Sequence, residues 1–250
     1  MISAGIEEKV RKGHKILAVL IDPDEYDQKR LTRLFSNPAI SGIDLILVGG
    51  SLLHGAGIEK TIDLIKDLSN TPVILFPGNA IQLTRKADAL LLLSLVSGRN
   101  AEFLIGQQVI AAPFLKESGL EVISTAYLLI DGGKPTTASY ISGEQPIPID
   151  KPAITGTTAL AASYIGMKWT YLDAGSGAQK PVPSSHISAA RRQIRGPLIT
   201  GGGIRTEEQL IEAYRSGADI AVVGNILEEQ PETLESFVFA KEQFLQSIVK

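Results

Sequence analysis

Eight short aliphatic runs, each separated from the next by a stretch of helical or turn character, constrain this chain more than any other feature. They occupy residues 16–21, 44–48, 72–76, 89–93, 122–130, 169–173, 197–200 and 219–223. The runs are apolar nearly throughout instead of alternating with polar residues, which is the pattern of strands covered on both faces in a parallel sheet. The intervening stretches carry helical periods. Ile58, Ile62, Ile65 and Leu68 recur at helical spacing and form one apolar stripe. Thr206 followed by Gln209 is a capping-box signature that opens a helix over 206–216, with Leu210, Ile211 and Tyr214 on its buried side. An alanine-rich stretch over 157–166 ends at Gly166 as a helix between the fifth and sixth strands would. Eight strands with helices between them, in 250 residues, predict a single closed (β/α)8 TIM barrel spanning 1–250. A doubly wound open sheet would place a glycine-rich dinucleotide loop after its first strand, where this chain has Asp22-Pro-Asp24.

Composition removes several classes of function. The net charge is −3, so no global positive field draws in nucleic acid. The densest basic cluster, Arg191, Arg192 and Arg195, reads as a solvated helix face. Without cysteine the chain has no disulfide, thiolate metal site or thiol nucleophile. The first ten residues lack an export pattern, and the longest aliphatic run, 89–96, is far shorter than the ~20 residues of a membrane span. A cytoplasmic location is expected. His14, His54 and His186 show no metal-ligand spacing, and no Gly-x-Ser-x-Gly elbow is present.

In a barrel the site is built from the loops that leave the carboxyl ends of the strands, and phosphate is commonly bound after the seventh and eighth. Here the seventh exits into Gly201-Gly-Gly203 before Ile204 and Arg205, and the eighth into Gly224-Asn225 before a helix. Glycines let the backbone approach an anion, and the helix starting near Thr206 is expected to add its positive end. The sixth strand ends at Asp173, where a carboxylate could orient or deprotonate a substrate hydroxyl. Asp22 closes the first strand and Ser51 follows the second, too few groups to cage a metal but enough for Mg²⁺ shared with substrate phosphate. The same Asp-Pro-Asp also suits a plain helix-initiating turn. Leu93, Leu95 and Val96, at the fourth exit, could wall an apolar groove beside Phe76-Pro-Gly-Asn79. One segment, 131–152, breaks the rhythm with four prolines and three glycines; it is expected as an irregular loop on the active-site face, a lid or a tolerated insertion.

Five motifs in order then carry a resemblance: Leu20-Ile-Asp-Pro-Asp24, Leu47-Val-Gly-Gly-Ser51, Thr170-Tyr-Leu-Asp-Ala-Gly-Ser-Gly177, Ile199-Thr-Gly-Gly-Gly-Ile-Arg205 and Val222-Val-Gly-Asn-Ile226. Together they resemble the geranylgeranylglyceryl phosphate synthase family, including its bacterial heptaprenyl relatives. The resemblance implies a Mg²⁺-dependent prenyltransferase that joins a long polyprenyl diphosphate to sn-glycerol 1-phosphate, an ether-lipid precursor being formed. It implies Asp22 and Ser51 as metal ligands. It implies that Tyr171, Leu172, Asp173, Ala174, Gly175, Ser176 and Gly177 wrap the glycerol phosphate, that Gly202, Gly203, Gly224 and Asn225 grip its phosphate, and that Asp173 is the catalytic group. Tyr127 is a weaker candidate for the same pocket. The chain departs from the family pattern in carrying Asp173 where Glu is common, and Leu20 where some relatives have lysine. The branch with an aliphatic residue there often forms oligomers, so a homo-oligomer is expected, with transient membrane contact because the product is a lipid. The competing readings are a barrel isomerase or lyase acting on a sugar phosphate, and a non-catalytic sensor of a phosphorylated metabolite.

Overall fold

The computed structural model describes residues 1–52 and 57–248. In chain order the α-helices and strands are α1 (Ile2–Arg11), β1 (Ile16–Ile21), α2 (Gln28–Phe35), β2 (Leu45–Val48), α3 (Ile58–Leu68), β3 (Val73–Leu75), β4 (Ala89–Leu95), α4 (Gln107–Ser118) and β5 (Glu121–Leu129). They continue with α5 (Thr137–Ser142), α6 (Pro152–Tyr164), β6 (Trp169–Asp173), α7 (Ser184–Arg191), β7 (Leu198–Gly201), α8 (Glu207–Arg215), β8 (Ile220–Val223), α9 (Asn225–Glu229) and α10 (Leu234–Ile248). All eight strands pair in parallel, each with its sequence neighbours, and β8 returns to β1 to close the barrel. The TIM barrel expected from the eight runs is therefore the observed architecture.

Side chains fill the barrel; it is not a pore. Ile16, Ala18, Leu45, Leu47, Ile74, Leu91, Trp169, Ile199 and Ile220 pack into one inner cluster. Helix α1 closes the amino-terminal end, where Ile6 is buried against this cluster and Glu7 accepts a hydrogen bond from the Trp169 indole at 3.0 Å. At the opposite end an aromatic layer caps the core. Phe76 stacks on Tyr171 with centroids 5.0 Å apart, and Tyr127 meets Tyr171 edge-on at 5.7 Å. Such offset and edge-on pairs are the favoured ring geometries. The alternating residues Leu17, Val19, Ile46, Val48 and Leu90 face outward and bury the apolar stripes of the surrounding helices.

Three expectations need correcting. Arg191 is no part of a solvated face: its guanidinium pairs with Asp219 at 2.7 Å and donates to the carbonyls of Ile194 and Gly196. Arg192 and Arg195 are exposed as expected. The 131–152 segment is not without regular structure. It holds α5, whose capping box pairs Thr136 with Ser139, and Ile147 bridges to Ile130. A serine at the position where glutamate or glutamine usually completes a capping box left that helix without its ordinary signature. The third is the helix over 157–166, which begins earlier, at Pro152 on the first turn, where a missing N–H costs nothing. His186 is buried in α7 between the Thr155 hydroxyl and the Ile149 carbonyl. His54 lies outside the described residues. Among the described residues no helix is long and apolar enough to cross a membrane.

Candidate active site

The carboxyl ends of the strands surround a polar pocket. Asp22 (β1 exit), Gly50 and Ser51 (β2 exit), Asp173, Ser176 and Gly177 (β6 and its exit), Gly202 and Gly203 (β7 exit), and Gly224 and Asn225 (β8 exit) all line it. The two sets of residues singled out in the sequence, the acidic exit of β1 and the glycine exits of β7 and β8, thus meet across one barrel mouth. Tyr171 and Phe76 from the aromatic layer form part of its wall.

Asp173 ends β6 in register with Leu129 on one side and Gly201 on the other. It is only 6% exposed. One carboxylate oxygen accepts from the Tyr127 hydroxyl at 2.6 Å, the other from the Gly175 amide at 2.7 Å. Burial pushes its carboxyl above the ordinary value, and the two hydrogen bonds oppose that shift only in part. Burial, then the nearby Asp173, holds the Tyr127 phenol far above its usual range, so at neutral pH it is the donor in this pair.

The loops are tied to one another by side chains. Asn225 Oδ1 accepts from Ser176 Oγ at 3.2 Å and from the Gly177 amide at 3.1 Å, which locks the exit of β6 to that of β8. Its Nδ2 donates to Glu228 at 3.2 Å. Gly202 sits at φ +76°, a left-handed conformation, and a Cβ there would lie 2.6 Å from Asp173 Oδ1 and 2.7 Å from the Gly175 nitrogen. Only glycine lets the β7 exit pass this close to the carboxylate. The helix that follows contributes less than expected. Gln209 Oε1 takes the Arg205 amide at 2.7 Å and the Thr206 amide at 3.2 Å, so these N–H groups are already engaged by α8's own cap.

Asp22 both begins a turn and lines the pocket. Its Oδ1 accepts from the Asp24 amide at 3.0 Å, and its carbonyl accepts from Glu25 and Tyr26. Among the described residues no three His, Asp or Glu side chains converge as a ready-made metal cage.

A second cavity adjoins the first. An apolar cleft of about 820 Å³, counting its open mouth, shares Gly50, Ser51 and Phe76 with the polar pocket. It passes Tyr127 and Leu93 at the rim and continues between β4 and α4, lined by Leu83, Leu90, Leu92 and Ala111. Leu93 and Leu95 line it as expected; Val96 instead packs against the cluster around β5 and β6. Ala138, Ile141 and Ser142 of α5 form another wall, so the 131–152 segment covers this cleft. Glu144 accepts from the Arg99 amide at 2.9 Å and Asn100 donates to the Ser142 carbonyl at 2.9 Å, fastening that cover to the β4 exit.

The sequence reading passed over Glu228, Arg205 as a side chain, and α5. Glu228 lies three residues after Asn225, a spacing that faces it back along α9, and this was the available signal. Burial raises its carboxyl, as do the negative charges of Glu25, Asp22 and Glu229.

Residues 8–241 match the PcrB family. A geranylgeranylglyceryl phosphate synthase of Spirosoma linguale is 49% identical over 238 residues, covering 95% of this chain and 96% of its own length. One from Korarchaeum cryptofilum is 41% identical over 238 residues, covering 95% and 98%. Among solved structures, (S)-3-O-geranylgeranylglyceryl phosphate synthase from Thermoplasma acidophilum, in complex with its substrate sn-glycerol-1-phosphate, superposes with a TM-score of 0.89 at 32% identity, over 96% of this chain and 97% of that one. A tryptophan synthase α-subunit mutant from Pyrococcus furiosus, 13% identical with a TM-score of 0.57, shares the fold alone. With the family matched across nearly its whole length and with its five motifs meeting at one barrel mouth, this chain belongs to the PcrB family.

Proposed function

We propose that the protein joins a polyprenyl diphosphate to the terminal hydroxyl of sn-glycerol 1-phosphate, forming an ether-lipid precursor and releasing diphosphate. The observation that carries this reading is the junction at Gly50, Ser51 and Phe76, where an apolar cleft suited to a hydrocarbon tail adjoins a polar pocket lined by glycine loops. No sugar-phosphate lyase or metabolite sensor needs such a cleft beside its phosphate site.

In this reading Gly202, Gly203, Gly224 and Asn225 hold the glycerol phosphate, with Tyr171, Ser176 and Gly177 around its glycerol; the Leu172 and Ala174 side chains are buried in the cluster outside the pocket and Gly175 holds Asp173 through its amide, so these three shape the loop from behind. Asp22 and Ser51 would hold Mg²⁺: they offer hard oxygen donors beside the junction, and so few protein donors suit a cation that is shared with a substrate diphosphate. When bound, Mg²⁺ neutralises the diphosphate and makes it a better leaving group. The bond from C1 of the prenyl chain to the diphosphate oxygen breaks, and the glycerol oxygen bonds to C1. Asp173 accepts the hydroxyl proton. Its burial suits that task, because a raised carboxyl is a stronger base once ionised, and its bonds to Tyr127 and Gly175 fix its direction. Holding both substrates across one mouth supplies proximity. Exposed Ile81, Ile105, Val109 and Ile110, on the elements that wall the cleft, support the accompanying proposals of a homo-oligomer and of transient membrane contact.

Incubation with sn-glycerol 1-phosphate, Mg²⁺ and a mixed series of polyprenyl diphosphates, followed by mass spectrometry, tests the proposal. Prenyl ethers of glycerol phosphate are expected, with one chain length dominant. Binding of glycerol phosphate without any ether product would refute it.

A further inference from the structure

Arg205 stands at the end of the β7 glycine exit and has no part in the clamp described so far. Arg205 lines the same polar pocket as Gly202, Gly203, Gly224 and Asn225. Its backbone N–H is already committed to Gln209, so anything it offers a ligand comes from the guanidinium. The other charged side chains lining that pocket among the described residues, Asp22, Asp173 and Glu228, are all acidic. A phosphate dianion bound here shares the pocket with those three carboxylates; Arg205 is the cationic residue of the lining, and the Lys134 ammonium lies close to the Gly177 loop.

Among the described residues the guanidinium is held by one contact, Nη1 to Glu229 Oε2 at 3.1 Å, between side chains 40% and 55% exposed. Such a half-exposed, single-point pair contributes little and exchanges readily. A phosphate offers arginine two parallel charge-assisted bonds in its place. Glu229 ends α9, the helix that starts from the β8 phosphate loop, so the resting pair spans the two loops that would close on the phosphate.

We propose that Arg205 is a phosphate-binding residue, which leaves Glu229 and pairs with the phosphate of the glycerol ester when that ester occupies the β7 and β8 loops. This inference rests on the proposed function and adds a side-chain contact to its backbone clamp. Glu229 is the resting partner that keeps the guanidinium ordered and shielded from the three carboxylates.

The two ends of the pair give a discriminating test. Calorimetry with sn-glycerol 1-phosphate, in the absence of any prenyl diphosphate, is run on the native protein and on Arg205→Gln, Arg205→Lys and Glu229→Gln. Arg205→Gln is expected to weaken binding about tenfold or more, Arg205→Lys by less, and Glu229→Gln to leave affinity equal or tighter. KM for the prenyl diphosphate is expected to stay within about threefold in all three. Equal weakening in Arg205→Gln and Glu229→Gln would make the pair a strut between loops and overturn the inference, as would unchanged affinity in Arg205→Gln. Native protein that binds no glycerol phosphate would instead overturn the function itself, a result visible before any variant is read.

Discussion

Replacing Asp173 by Asn isolates its proposed role as proton acceptor from everything else the residue does. The amide has the same shape. Its oxygen can still accept from the Gly175 amide at 2.7 Å, and its NH₂ can donate to a Tyr127 hydroxyl that rotates to accept. The geometry of the β6 exit should therefore survive, and only the negative charge is lost. A positioned general base contributes about 10²–10⁴ in rate, or about 3–5 kcal/mol of barrier. A fall in kcat of about 10² or more is expected, with affinity for sn-glycerol 1-phosphate changed by less than about threefold. Stability should move the other way. Burial raises the native carboxyl, so this group's contribution to stability is fully present below the ordinary carboxylate value and is lost as pH rises through the raised one. Asparagine has no such dependence. The variant's melting temperature, followed by circular dichroism, should gain on the native protein as pH rises from about 4 to 7. A rate within about threefold of native would refute the role of Asp173. Loss of rate together with equal loss of affinity would show that the residue shapes the loop and does not take a proton.

Tyr127→Phe removes a hydrogen bond that favours the Asp173 anion, so the acid limb of the pH–rate profile should move to higher pH; an unmoved limb would separate Asp173 from the titration. Asp22→Ala should abolish Mg²⁺-dependent turnover and leave calorimetric binding of glycerol phosphate within about threefold, whereas equal loss of both would point to misfolding or another site. Gly202→Ala forces a side chain into a left-handed position, at about 1–2 kcal/mol, with its Cβ against Asp173 and Gly175; kcat and glycerol phosphate affinity should fall together, measured by steady-state kinetics and calorimetry. Ala111→Phe fills the cleft between β4 and α4, and mass spectrometry should show the product distribution displaced to shorter chains.

The fold was readable because nearly every strand is apolar along its length, eight of them alternate with helices, and Asp22-Pro-Asp24 stands where an open doubly wound sheet would have its glycine-rich loop. The site was readable where chemistry follows local pattern: glycines at two successive exits, an aspartate at a strand tip. What escaped is what tertiary packing decides. Nothing in the local sequence around Arg191 shows that Asp219, just ahead of β8, will pair with it. The α5 cover escaped because serine, where glutamate or glutamine is usual, completes the capping box opened by Thr136, and the helix is short and rich in hydroxyl residues, a composition shared with loops. Glu228 belongs to the pocket only because α9 folds back from Gly224 and sets it beside Asp22.

The apolar cleft reaches from Leu91, Leu93 and Tyr127 of the inner cluster to Leu90, Leu92 and Ala111 between β4 and α4. Selection for a longer or shorter hydrocarbon therefore acts on the seam between one strand and one helix. The strand closure that fixes Asp22, Asp173 and Gly224 relative to one another is spared, so tail length can drift among descendants while the reacting groups stay in place.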